Sequence, residues 1–134
     1  MNRAQISMEY TILMGFMLFS IICSVVLAFY YSSIIRENLR AKSVENFGKK
    51  IITNAESVYY FGYPSKTTIE SYVPDGIKEI KIENKSLIIT TKYSSGIQKR
   101  EFVSRVPLNG SIRTTSGLRK ITIEAFDDYS KITG

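Results

Sequence analysis

Gln5-Ile-Ser-Met-Glu9-Tyr10 opens a run with no charged side chain between Glu9 and Arg36. Ile, Leu, Met, Phe and Val dominate it through Ile35. About twenty such residues in a helix reach about 30 Å, the thickness of a bilayer's hydrocarbon core. Four residues, Met1-Asn-Arg-Ala4, precede it, and Glu9 stands as one carboxylate at its lip. The run therefore predicts a membrane-spanning helix, and the rest of the chain is read outward from it.

The 134 residues leave room for one such helix and one small domain. A net charge of +6 raises nucleic acid as a partner. Residues 63–134, however, hold 12 Lys and Arg well mixed with 8 Asp and Glu, which describes a solvated surface and no specific nucleic-acid site. The chain has no His, no Trp and a single Cys, which removes most metal sites and much nucleophilic catalysis. Cys23 lies inside the apolar run and reads as a small hydrophobe. No paired carboxylates at helical spacing and no glycine-rich phosphate loop stand out in residues 63–134, so neither an enzyme nor a cofactor is expected.

A cleaved secretory signal has an apolar stretch of only about 7–15 residues followed by a small-residue cleavage site. Here the run is about twice that length and passes without a break into a second helical pattern. Ser20, Ser24, Ala28 and Ser32 recur within it at i, i+4, which lines small residues on one face and admits a neighbouring helix.

From Ile34 to Phe61 the pattern turns amphipathic. Ile35, Leu39, Val44, Phe47, Ile51, Ala55, Val58 and Tyr59 advance in steps of mostly three and four, with Arg36, Arg40, Lys42, Lys49 and Lys50 largely on other faces. Gly48 is a site for a bend or a close approach, and Gly62 and Pro64 are stop signals. A helix unbroken from Ser7 to Phe61 would be roughly 80 Å long. Beyond it, β-branched runs alternate with turn chemistry. Thr67–Val73, Ile77–Glu83 and Leu87–Tyr93 are expected strands, as are the run over 97–106 and a final strand over Ile121–Ala125. Turns are expected at Asn84-Lys85 and Asn109-Gly110. Four or five antiparallel strands would form a meander whose apolar face needs a partner. The expected architecture is α+β: one long N-terminal helix, membrane-spanning in its first half and amphipathic in its second, with a small antiparallel β-sheet head packed on its distal half.

Gln5-x-Ser7-x-Glu9-Tyr10 before a hydrophobic helix resembles the class III signal of archaeal type IV pilin precursors, and all four motif positions match. The resemblance covers about residues 4–31 and is architectural beyond Tyr31. It implies that a prepilin peptidase cuts between Ala4 and Gln5, removing residues 1–4 as a leader. Residues 5–33 would then be the transmembrane and filament-core helix, 34–62 the amphipathic helix and 63–134 the head. It further implies a pilin, a structural subunit of a cell-surface filament of the type IV pilus kind, with cell adhesion among such filaments' roles. Its partners would be further copies or related pilins, the peptidase, a membrane-embedded assembly platform with its ATPase, and membrane lipid before assembly. Glu9, Ser20, Ser24 and Ala28 are the expected assembly residues.

Orientation brings a conflict. The resemblance places the head outside the cell, whereas the positive-inside rule sets Arg3 on one side against Arg36, Arg40, Lys42, Lys49 and Lys50 on the other. The motif is given precedence here, and the head is expected outside. Asn84-Lys-Ser86 and Asn109-Gly-Ser111 are N-glycosylation acceptor tripeptides at the two expected turns. The alternative is a non-filamentous single-pass membrane protein with a small binding or sensing ectodomain, which predicts no cut at Ala4–Gln5 and tolerance of Glu9→Ala.

Overall fold

A computed structural model describes the backbone of residues 2–134 and the side chains from Ile6 onward. The expected processing position, Ala4 and Gln5, lies outside the residues whose side chains are described. Helix α1 runs over Asn2–Phe61. No proline interrupts it over these residues. It ends where the sequence places its stop signals: Gly62 turns to φ +79°, and its N–H donates to the Tyr59 carbonyl at 3.0 Å. That left-handed conformation costs glycine little and closes the last turn. The chain divides into two compact units, Met1–Asn38 and Leu39–Gly134.

The second unit is α+β, with seven strands set against the distal part of α1. These are β1 (Lys66–Val73), β2 (Ile77–Glu83), β3 (Ser86–Tyr93), β4 (Gly96–Val103), β5 (Leu108–Ser111), β6 (Gly117–Ala125) and β7 (Ser130–Thr133). Strands β2-β3-β4 form an antiparallel meander. Its first connection is the expected Asn84-Lys85 turn, where Asn84 takes φ 43°, a conformation asparagine tolerates.

The single meander expected from the sequence is corrected by the rest. A second sheet has the order β1-β6-β7-β5, so β1 pairs with a strand far along the chain, and β5 and β7 run parallel. Asn109-Gly110 is no turn but the middle of β5. Gly110 (φ +125°) is needed there because a Cβ would run into the Ile132 carbonyl of β7. Strand β7 was not anticipated, since Ile132 is its one large apolar residue and gives no alternation to read.

The core forms where the helical stripe meets the inner sheet faces. Val44, Phe47, Ile51, Ala55 and Val58 are buried, as are Leu87, Ile89, Ile121, Ile123, Ala125 and Ile132. Ile52 joins them, and Tyr59 packs at the edge. The stripe is shorter than its periodicity implied: Ile35 and Leu39 are 55% and 62% exposed, and burial starts at Val44. Polar contacts also tie the helix to the strands and their connections. The Ser130 hydroxyl donates to the Ala55 carbonyl (2.9 Å), Lys50 Nζ donates to the Glu70 carbonyl (2.6 Å), and the Arg105 N–H donates to Glu56 Oε1 (2.8 Å). Gly48 provides the close approach: a Cβ there would sit 2.5 Å from the Phe102 ring.

The outer face of the β1–β6 pair is a ladder of matched neighbours. Lys66 meets Glu124 at 2.5 Å, the Thr68 and Thr122 hydroxyls lie 3.3 Å apart, and Glu70 meets Lys120 at 3.5 Å. Such cross-strand pairs specify register more than they add stability.

Two outcomes follow from this packing. Gly48→Val should lower the head's stability by about 1–3 kcal/mol through overpacking against Phe102. Gly48→Ala should lie nearer neutral, because its gain of about 1 kcal/mol in helix propensity offsets a smaller clash; denaturant unfolding of the full chain in detergent checks both. Hydrogen bonds from Lys49 to Glu45 and from Lys66 to Glu124 hold both carboxyls below the usual 4.5. A depressed folded pKa contributes stability that is present above the unfolded value and lost as pH falls through the folded one. The melting temperature should therefore drop as pH falls below about 4.5, and the drop should be smaller in the Glu45→Gln, Glu124→Gln double variant.

Candidate functional site

The feature demanding a partner is the surface of α1 in the first unit. Every described side chain from Ile6 to Tyr31 is exposed, including Phe16 (72%) and Phe29 (73%). A helix apolar on all sides is matched to hydrocarbon or to other helices. Its backbone donors and acceptors are satisfied internally, the condition for crossing a bilayer. The helix is long and apolar enough to span one.

The hydroxyls within it are also satisfied. Thr11 Oγ1 donates to the Ser7 carbonyl (2.9 Å), Ser24 Oγ to the Ser20 carbonyl (2.9 Å) and Ser33 Oγ to the Tyr30 carbonyl (2.8 Å). Each returns its donor to the helix, so it leaves no unmet hydrogen bond where water is excluded. Ser20, Ser24, Ala28 and Ser32 share one face of the continuous helix, where small side chains let another helix come close. Cys23 is a free, exposed thiol in the same stretch.

Ser7, Glu9 and Tyr10 lie exposed near the start of α1. Gln5, the motif's other member, lies outside the described side chains. Among the described residues no cation pairs with Glu9. No group of three or more His, Cys, Asp or Glu side chains gathers to hold a metal among them either.

The two glycosylation tripeptides differ in setting. Asn84 is exposed at the β2–β3 turn. Asn109 is exposed within β5, and its Oδ1 accepts the Gly110 N–H at 2.7 Å. An aromatic group went unread in the sequence: Phe126 stacks on Tyr129 (5.2 Å between centroids), with Tyr63 tilted beside it at 6.4 Å. Phe126 and Tyr129 are three residues apart, and the fold brings the distant Tyr63 to them. Tyr60 and Phe61, beside the half-buried Tyr59, are 68% and 81% exposed.

Comparison with family models, curated proteins and solved structures finds no match.

If the apolar surface spans a bilayer, charge placed in it will be resisted. Arg at the centre of a span costs about 2.5–3.5 kcal/mol on insertion scales. The Ile21→Arg, Val25→Arg double variant should be released by alkaline carbonate from membranes that retain the wild-type chain.

Proposed function

We propose that this chain is a pilin-type precursor, a structural subunit of a surface filament of the archaeal type IV kind, cut before Gln5 and assembled through α1. The observation that carries the proposal is a single carboxylate, Glu9, at the mouth of a helix otherwise apolar on every side, in the spacing Gln5-x-Ser7-x-Glu9-Tyr10. Before assembly the helix lies in the membrane with the head outside the cell. Afterwards it lies among the helices of neighbouring subunits. The transfer exchanges lipid contacts for close helix contacts along Ser20, Ser24 and Ala28.

Processing controls assembly through charge. Cutting at Ala4–Gln5 creates an α-amine on Gln5, with an ordinary pKa of about 7.7–8.0, so much of it is cationic at neutral pH. In the apolar filament core that cation pairs with Glu9 of a neighbouring subunit. A buried pair overcomes its two desolvation costs only in good geometry, so it favours one stagger over random clustering. In the uncut chain the amine is four residues away and unable to make the same contact. The prepilin peptidase, the assembly platform and its ATPase are the expected partners, and the chain itself performs no catalysis.

The positive-inside count, with Arg36, Arg40, Lys42, Lys49 and Lys50 beyond the span, favours the second reading, a non-filamentous membrane protein. Co-expression with an archaeal prepilin peptidase separates the two. The proposal expects a mass loss of residues 1–4, a new N-terminus at Gln5, and filaments visible by electron microscopy. Glu9→Gln should still be cut but should form no filaments. An intact N-terminus would overturn the proposal and leave the anchored ectodomain.

A further inference from the structure

The second unit is electrostatically polar, and its basic end is the one at which α1 enters. The β1–β2 turn, Pro74-Asp75-Gly76, packs there. The Lys92 N–H donates to the Gly76 carbonyl at 2.9 Å, and Arg40 Nη1 lies 3.5 Å from where a Gly76 Cβ would be. Register brings further groups to the same end. Lys92 is opposite Ile97, and Ser71 and Tyr72 at the end of β1 are opposite Arg119 and Leu118 at the start of β6. Arg40, Lys78, Lys92 and Arg119 thus lie at the same end, with Lys42 two residues beyond Arg40 on α1, and each has at least part of its side chain in solvent. The acids nearest them are Asp75, which is exposed, Glu37, one helical turn before Arg40 on α1, and Glu45, which is held by Lys49 (2.5 Å) and approached by Arg100 (3.9 Å). At the rim stand three large apolar side chains, Tyr72, Ile97 and Leu118, each more than half exposed (54%, 58% and 69%). The opposite end, with the Asn84-Lys85 and Phe126–Tyr129 turns, has Glu83, Asp127 and Asp128 against Lys85 and Arg105, so the basic excess is not general.

We infer that this basic end of the head docks on anionic lipid headgroups while the chain is membrane-inserted, the cations meeting phosphates and Tyr72, Ile97 and Leu118 entering the interface. Charge complementarity and chain continuity choose the occupant. Arg40 follows Tyr31 within about three helical turns, so a chain anchored through 6–31 holds this end near the headgroup layer. A cluster of basic residues next to a span is attracted to an anionic leaflet, and exposed aromatic and aliphatic side chains suit its interface. The structure also re-sorts the cations that conflict with the positive-inside rule. Lys49 pairs with Glu45 and Lys50 with the Glu70 carbonyl, so both are engaged within the head. Arg40 and Lys42 instead belong to the basic end, which gives them a role on the outer leaflet. The inference rests on the membrane-spanning reading and not on filament assembly.

The test is hydrogen exchange read by mass spectrometry on the full, uncut chain, one copy per lipid nanodisc, with anionic phosphatidylglycerol discs compared with zwitterionic phosphatidylcholine discs. Amides in 74–78, 92–99 and 117–119 should exchange about tenfold more slowly in the anionic discs, and 0.5 M salt should remove most of the difference. Amides in 126–129, at the opposite end, should exchange alike in both. The Lys78→Glu, Lys92→Glu variant should lose the difference while amides in the core strand 121–125 keep their protection, which separates lost docking from lost folding. Equal rates in the two lipids, or a difference that survives the charge reversal, would overturn the inference. Protection that appears only with several copies per disc, whatever the lipid, would assign the surface to a second copy and overturn it equally. A chain that enters neither disc would overturn the spanning reading beneath it.

Discussion

Burial of one helical stripe under two sheets is the contact on which the second unit depends. Val44, Phe47, Ile51, Ala55 and Val58 form an apolar surface that alone would leave the distal helix amphipathic and unsupported. The β2-β3-β4 and β1-β6-β7-β5 sheets each carry an apolar inner face that needs a cover from water. Each surface is the other's solvent-excluding partner, so helix and strands share one core. The closest approach in that core occurs where Gly48 leaves room for Phe102, and the buried Ser130 hydroxyl meets its hydrogen-bond requirement at the Ala55 carbonyl.

The first unit obeys the complementary rule. Among the described residues of that unit nothing covers 6–31, and apart from Glu9 and a few hydroxyls their side chains are apolar on every side. Hydrocarbon or other helices can cover them equally well. What distinguishes those environments is polar detail. A carboxylate at Glu9 is tolerated at a wet bilayer edge but needs a cation in a dry helical array. The hydroxyls of Thr11, Ser24 and Ser33 need nothing further in either, because each is bonded to its own helix.

Between these regimes the surface charges divide by neighbourhood. Lys49, Lys50, Lys66 and Lys120 are taken up by contacts within the head. Arg40, Lys42, Lys78, Lys92 and Arg119 are concentrated at one end. A net charge of +6 describes neither group; its distribution over the folded surface carries the information.

The long helix, its stop at Gly62, its apolar first half and most strands of the meander were legible in the sequence because they depend on local periodicity and turn chemistry. The α+β class followed too, since an amphipathic helix and a one-faced sheet have few ways to bury themselves. Pairing between distant segments was not legible. That β1 joins β6, that β5 and β7 run parallel, and that Asn109-Gly110 lies within a strand are outcomes of which faces fit once the chain is compact. The same limit applied to the helix stripe: Ile35 and Leu39 keep the period of the core but are exposed. Among candidate functional residues, Glu9 and the Ser20–Ser24–Ala28 row came from spacing along a single helix, which the sequence specifies by itself. The placing of Tyr63 beside Phe126 and the basic end built from α1, β2, β3 and β6 required tertiary structure, because residues far apart in the chain acquire a shared surface only when the segments that carry them are set side by side.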